Sequence, residues 1–581
     1  MLKGKKAIAL IQARASSTRL PMKQFRYIGH KRVIDWIVDR LLSIEEFDKI
    51  IISTSYKKTD SIFVNYADEK GIDVFRYKGD INDVVGRHYY AAKKYDADYI
   101  TVISGDCPLI DKQFIKKQLY KISQGYEYIR PAGKEWFHEG VDTYSWGCFE
   151  FLNNEIKSKY TRENFGINLR KNPDLAKIGL VDIKDVFSKK LCRISVDNMA
   201  DLRFMNALYR ELDEKDKKFN LLNVVELLKD KPGLLNINNH VEQKQKDDKT
   251  YRFVIKTEAS QKIGLGHIKR MMVLGKYLNE NKNNGVFYLI NNDLLAKDIL
   301  EKEGYIYDYK IASSQEELIK EVNFYNADIL IIDVQNLENM KYHFEKIKKN
   351  TSLKKIILVD KYIESDNVGL FIMQGIQSDK ILNNVKNNEK VISGLKTVFV
   401  SQKLKKIEES KEKLKNKIVI SFGGTDIYNV TTTVLKVLKE IKIDKDYKFS
   451  IILGPYFNHH KKLNKELELF PYDYEIINSP QSIISIIKEA KLGIVYYGVT
   501  FYEFKYLGIP TIDVIPGKEY CDEFNKLEML GLGHSVGVHN NINKNSFNKY
   551  INNIDNLKSP NYSIGDLEYV YSKMISEIEG D

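Results

Sequence analysis

Ile11-Gln12-Ala13-Arg14-Ala15-Ser16-Ser17-Thr18-Arg19-Leu20-Pro21-Met22-Lys23 decides how the first part of this chain is read. It continues from residues 7–11, a short apolar run with the character of a buried first strand in a parallel sheet. The turn after it is made of small residues and flanked by Arg14, Arg19 and Lys23, which predicts backbone N–H groups ringed with positive charge. Such a pocket suits polyphosphate. An ordinary strand-to-helix loop with three solvated cations has the same composition, so the stretch takes its meaning from its surroundings.

A chain of 581 residues exceeds a single core; at about 100–200 residues per domain, roughly three or four units are expected. Hydrophobic residues at 43% and charged residues at 29% are the balance of a folded, soluble protein rather than a disordered one. The net charge of +12 is spread over many lysines, not gathered into a basic arm with interleaved aromatics, so no nucleic-acid partner is expected. Cys107, Cys148, Cys192 and Cys521 are far apart and form no Cys-x-x-Cys pair, which indicates neither a zinc site nor a disulfide framework. The start is basic, but the apolar run after it is too short for a signal peptide and ends at Gln12. No run approaches the roughly 18 apolar residues of a membrane span. The expectation is a cytoplasmic protein without membrane insertion.

Strand patterns recur at 50–53, 99–104 and 190–195, with amphipathic helical patterns at 33–43 and 84–95. Alternation of this kind predicts a parallel, helix-covered sheet, whose ligands bind beyond the carboxyl ends of its strands. Gln12 to Lys23 lies there. Asp106 closes one strand pattern and Asp197 another. Two carboxylates facing a phosphate pocket suit magnesium, which takes one or two protein carboxylates and fills its other positions with water and phosphate oxygens.

Four motifs in order carry a resemblance: Gln-Ala-Arg-x-x-Ser-Thr-Arg-Leu-Pro-x-Lys at 12–23, Gly-Asp-Ile-Asn-Asp-Val-Val-x-Arg at 79–87, Gly-Asp-Cys-Pro-Leu-Ile-Asp at 105–111 and Val-Asp-x-x-x-Asp-Leu at 196–202. Over residues 1–237 the chain resembles the spore-coat polysaccharide cytidylyltransferases, relatives of the CMP-sialic acid synthetases. The resemblance implies CTP as donor, magnesium at Asp106 and Asp197, Arg14 and Lys23 on the triphosphate, and Gln12, Ala13, Ser16, Ser17 and Arg19 around the nucleotide. It implies attack of an acceptor oxygen on the α-phosphorus with loss of pyrophosphate, and a homodimer is common in this family. Asp142, Arg162 and Glu163 fall on the acceptor side. Ser16 and Met22 stand where glycine is usual, Tyr144 where relatives carry glutamate, and Asn164-Phe165 where they carry His-Val.

The polar run 238–250 buries little surface and reads as a linker. Beyond it a strand pattern at 251–256 leads into Gly264, Gly266 and His267 and then a helix over about 268–281. Glycines let a ligand approach the backbone, and a helix start favours a neutral imidazole able to accept a proton. Further strands are expected at 327–333 and 355–360, then an exposed helix at 401–417, then a strand at 417–422 with the turn Gly423-Gly424-Thr425-Asp426. Two α/β units, 251–400 and 401–581, predict paired Rossmann folds with a ligand in the cleft between them.

Ile-Gly-Leu-Gly-His-Ile-x-Arg at 263–270, Ser-Phe-Gly-Gly-Thr-Asp-x-x-Asn at 421–429 and Gly-x-Thr-x-Tyr-Glu with Leu-Gly-Ile-Pro at 498–510 resemble the UDP-sugar hydrolases of pseudaminic acid biosynthesis. The fold so implied is glycosyltransferase-B-like. The resemblance implies metal-free release of a diacetamido-trideoxyhexose from UDP, with His267 as general base. Gly264, Gly266, Gly423, Gly424, Gly498, Thr500, Glu503 and Asn525 would hold the nucleotide. Val334 follows Asp333 where relatives carry histidine. The two halves together predict a bifunctional enzyme of nonulosonic (pseudaminic or legionaminic) acid biosynthesis, acting on CTP, a nonulosonic acid and a UDP-sugar. The alternatives are a cytidylyltransferase fused to a glycosyltransferase as the second half, or one half as a non-catalytic sugar-nucleotide-binding module.

Overall fold

The structure is a computed structural model that describes residues 2–578 apart from 3, 16, 18, 21, 134–136, 138–139, 164, 183–186, 188–190, 239–248, 283, 304, 306–307, 338–342, 378–382, 384–389, 403, 405–415, 444–445, 481, 558–559, 561 and 577. It forms two compact units, Met1–Thr250 with Asn279–Gly285, and Tyr251–Leu278 with Val286–Asp581.

The first unit is built on seven strands in the order Asp73–Tyr77, Lys49–Ser55, Ala7–Gln12, Tyr99–Ser104, Val141–Ser145, Tyr128–Pro131, Ile178–Val181. The first four are parallel neighbours. Val141–Ser145 runs antiparallel to both of its neighbours. Ala7 to Ile11 are fully buried, as expected for a central strand covered on both faces. Gln12 sits level with Ser53 on one side and Ser104 on the other, so the central strand and Tyr99–Ser104 end together, and Lys49–Ser55 ends two residues beyond them. Helix Val33–Leu42 covers one face through Val33, Ile34, Ile37, Val38 and Leu41, spaced for one stripe.

The strand expected at 190–195 is not formed: the described residues 191–198 are irregular. Arg193 turns back to bond Asp197 at 2.7 Å and Asp201 at 2.9 Å. Four residues along a strand span about 13 Å, which would draw these groups apart. The segment instead gives one backbone bond, Val196 N–H to the Asp106 carbonyl at 2.8 Å, before helix Met199–Asp213 starts behind an Asn198 cap. Asn238, at the head of the expected linker, is buried and donates to Asp201 Oδ1 at 3.1 Å. Residues 239–248 of that linker lie outside the described residues, as does most of the helix expected at 401–417.

The second unit carries two sheets in series. One orders its strands Tyr309–Ile311, Gly285–Ile290, Arg252–Thr257, Ile329–Asp333, Lys355–Val359, Leu370–Gln374, Val391–Gly394. The other orders them Tyr474–Asn478, Lys448–Leu453, Lys417–Ser421, Leu492–Tyr496, Thr511–Ile515, Ser535–Val538. In both, the chain starts in the middle and reverses direction beside its first strand, the arrangement that opens a ligand crevice at the strand ends. Helix Gly266–Glu280 follows the first strand of this unit. Among the described residues, no helix is long and apolar enough to cross a membrane.

Candidate functional site

In the first unit, Lys23 opens the short helix Lys23–Phe25 and its Nζ donates to Asp106 Oδ2 and, at 2.9 Å, to Asp197 Oδ1. Arg19 reaches the same Asp197 oxygen at 2.8 Å, and Arg193 bonds the other. Five residues from three distant stretches of the chain thus meet near the edge where the central strands end. Burial opposes the charge on Lys23, but Asp106 and Asp197 outweigh it and hold the amine above its usual range. Burial likewise opposes ionisation of Asp197, and Lys23, Arg19 and Arg193 pull it below the usual carboxylate range.

The loop above is anchored from beneath. Buried Asp60 accepts the Ala15 N–H at 2.8 Å and also holds Ser55. Ser17 Oγ accepts from Leu20 N–H at 3.4 Å, and Met22 lies in left-handed backbone at φ 56°. Arg14 points to Asn82 at 3.3 Å and Glu163 at 3.8 Å, joining the loop to the 79–87 motif and to helix Lys159–Glu163. Gln12 Oε1 lies 3.5 Å from buried His88 Nε2, and Ala13 N–H bonds the Ser53 carbonyl. Ser16 lies outside the described residues.

Of the residues expected near an acceptor, Asp142 accepts from Tyr128 Oη at 2.8 Å and pairs with Arg170 at 3.3 Å. Arg162 is spent internally: it bonds Asp83 at 2.7 Å, the carbonyls of Asn153 and Ile156, and Asn153 Oδ1. Tyr144 is fully buried, stacked on Tyr128 with ring centroids 5.0 Å apart.

In the second unit, His267 is the second residue of helix Gly266–Glu280, reached through a left-handed Gly264 at φ 84°. Its Nδ1 lies 2.7 Å from Asp333 Oδ1. Arg270, one turn on, grips both Asp333 oxygens at 2.6 and 2.5 Å and Asp360 Oδ2 at 2.5 Å. We assign the Nδ1 proton to the bond with buried Asp333, which leaves the Nε2 lone pair to accept a proton. Burial opposes ionisation of Asp333, but Arg270, with hydrogen bonds from Arg270 and His267, brings it down to about 2.

Gly424 leaves room for Leu265: a Cβ there would lie 2.3 Å from Leu265 Cδ1. A Cβ on Gly266, Gly423 or Gly498 would meet nothing within 4 Å, so these backbones face open space. The helix after Gly423-Gly424, Val430–Lys439, has its first N–H groups taken by Asp426, at 2.8 Å to Val430 and 2.9 Å to Thr431. Helix Val499–Tyr506 differs, since Gly498 gives it no side-chain cap and Thr500 lies in its uncapped first turn. Glu503 is buried on this helix; burial pushes its carboxyl up to about 7 against the pull of Lys269. Asn525 is exposed on helix Cys521–Met529.

Arg193, Arg270, Asp333 and Asp360 join these clusters although the sequence alone assigned them no role, Arg270 only closing the 263–270 motif and Asp333 only preceding Val334. Asp333 and Asp360 do close strand patterns, the signal that marked Asp106; Arg193 carries no signal except its spacing of four from Asp197.

The chain matches the family model described as Cytidylyltransferase over residues 8–222. It is 31% identical to an uncharacterized Methanocaldococcus jannaschii protein, MJ1063, over 41% of this chain and 97% of that protein. It is 27% identical to the Bacillus subtilis spore coat polysaccharide biosynthesis protein SpsF, over 36% of this chain and 87% of that one. A second B. subtilis spore coat polysaccharide biosynthesis protein, SpsG, is 24% identical over 47% of this chain and 81% of its own length.

Proposed function

The N-terminal part of this chain belongs to the cytidylyltransferase family, and from that premise we propose that it moves a cytidylyl group from CTP to a nonulosonic acid while the second unit hydrolyses a UDP-linked diacetamido-trideoxyhexose. The observation that carries the first activity is the convergence of Lys23, Arg19, Asp106 and Asp197 at the ends of the central strands. An acceptor oxygen attacks the α-phosphorus, its bond forms as the bond to pyrophosphate breaks, and the acceptor proton passes to water. The protein contributes alignment and charge. In this reading Lys23 and Arg19 turn from Asp197 to the triphosphate, together with Arg14, whose side chain rests on Asn82.

Asp106 and Asp197, both turned to one cationic nitrogen, fit magnesium, which takes one or two protein carboxylates. When bound there, the ion would supply neutralisation of the triphosphate charge. That the acceptor is a nonulosonic acid is supported by the resemblance to CMP-sialic acid synthetase relatives and by similarity to two spore coat polysaccharide biosynthesis proteins.

The hydrolase reading is supported by His267, oriented by Asp333 with Nε2 left to take a proton from water. Water attacks the anomeric carbon, the bond to UDP breaks, and the free sugar leaves. Incubation of the purified protein with UDP-sugars in water tests it. Free sugar and UDP without an acceptor are expected; turnover only after a lipid or sugar acceptor is added would make the unit a glycosyltransferase and refute hydrolysis.

A further inference from the structure

We propose that Gln374 is a positioning residue that fixes His267 through Asp360 and Arg270; its chemical purpose rests on the hydrolase reading above. Asp360 follows strand Lys355–Val359 in left-handed backbone, φ 52°. Its Oδ1 accepts the Gln374 N–H at 2.7 Å, and its Oδ2 accepts Gln374 Nε2 at 3.1 Å and Arg270 Nη1 at 2.5 Å. The other side of the guanidinium serves Asp333, and Nη2 stands 2.9 Å from His267 Nδ1.

A guanidinium is a rigid planar fork, so it serves Asp333 and Asp360 together only while the two carboxylates keep a fixed separation. Asp333 is set by its strand. Asp360 lies in a left-handed turn and is set by Gln374. The same amide accepts at its Oε1 the N–H of Phe399, at 3.0 Å, on the segment that leads into the second sheet of this unit. One side chain therefore ties the His267 cluster to the crossover between the sheets.

The residues next to it extend the tie. A Cβ on Gly375 would lie 1.9 Å from Tyr502 Oη, so Tyr502 packs directly on this backbone. Tyr502 belongs to helix Val499–Tyr506, the helix of Thr500 and Glu503. Lys526 Nζ donates to the Gln377 carbonyl at 2.8 Å from the helix of Asn525. The segment 374–377 is thus gripped by the proton-accepting cluster on one side and by the uncapped helix on the other.

Removing the amide donor leaves the partly buried Asp360 Oδ2 with Arg270 Nη1 alone, while Oδ1 keeps the Gln374 N–H, so the carboxylate draws Arg270 toward Asp360 and away from Asp333. Asp333 then loses the guanidinium that holds its Oδ1 against His267 Nδ1, and the imidazole loses the fixed acceptor that selects its tautomer. The test uses the full chain labelled with ¹⁵N-histidine, His267 being assigned by the signal lost in His267→Gln. Wild-type protein is expected to show one His267 tautomer, protonated at Nδ1. Gln374→Met, similar in length but without donors, is expected to give mixed tautomers. Its UDP affinity by calorimetry and its KM stay unchanged, and its kcat for UDP-sugar hydrolysis falls on the order of 100-fold, the cost of a misplaced catalytic group. Gln374→Glu keeps the acceptor for Phe399 but faces Asp360 with a second carboxylate, and is expected to disturb the tautomer at least as much.

Variants that still bind UDP and keep the wild-type His267 tautomer would overturn the proposal. Absence of free sugar from the wild type would instead count against the hydrolase reading, and leaves the tautomer readout standing.

Discussion

Met22 shows how a single residue departs from what its place asks. The chain puts Met in left-handed backbone at φ 56°, the region that favours glycine. A side chain there costs about 1–2 kcal/mol, partly offset by the chain entropy that glycine would lose. Met22→Gly is therefore expected to stabilise the first unit by roughly 0.5–1 kcal/mol in denaturant unfolding. Glu503 offers a pH test. With its carboxyl raised to about 7 by burial, it is protonated below that value and becomes an acceptor for ribose hydroxyls above it. Apparent affinity for UDP-N-acetylglucosamine, whose diphosphate diester does not titrate in this range, should rise about tenfold from pH 6 to pH 8. In Glu503→Gln the dependence should be flat; a wild-type profile that falls with pH would contradict the role. Arg14, Lys23, Asp106 and Asp197 were legible as candidates because their motifs are local. The partner of His267 was not, since Asp333 stands 66 residues further on and only the fold brings it near.

At the scale of elements, the strand ends of the first unit depend on Gly105. Its N–H bonds the Gln12 carbonyl at 2.9 Å, and a Cβ on it would lie 2.5 Å from that same oxygen. Gly105→Ala must push Gln12 and Asp106 apart, at an expected cost of about 1–3 kcal/mol in thermal stability and with slower pyrophosphate release from CTP. The central strands and the covering helices were legible because burial on both faces writes continuous apolar runs and a one-sided stripe. The segment at 190–195 misled because its apolar alternation is used otherwise. Ile194 and Val196 are buried, but Arg193 folds back on Asp197 and Asp201 and keeps the chain out of the sheet. The turn at Gly423-Gly424 is a similar case: its glycines were visible, while the closing of the following helix by Asp426 depends on the left-handed turn at Asp426 and Asn429.

At the scale of the molecule, the two units hold separate candidate centres, one around Lys23 and one around His267. Asp106→Ala should abolish cytidylyl transfer and leave release of sugar from UDP-sugars at the wild-type rate. His267→Ala should do the reverse, both read on the full chain with each substrate supplied alone. Loss of both activities in either variant would show that the centres are not independent. The α/β class and the order of the two kinds of unit follow from strand and helix periodicity and from motif order. The sugar does not, because the groups that would choose it, such as Asp142 with Arg170 and Tyr128, are defined by packing between a strand and a distant helix. The most direct measurement supplies CTP, magnesium and a panel of nonulosonic acids to the purified chain and follows CMP conjugates by mass spectrometry with pyrophosphate in parallel. A CMP-nonulosonic acid is expected to form mole for mole with pyrophosphate and to be lost in Asp106→Ala. No conjugate with any acid of the panel, or a conjugate that persists in Asp106→Ala, would contradict it.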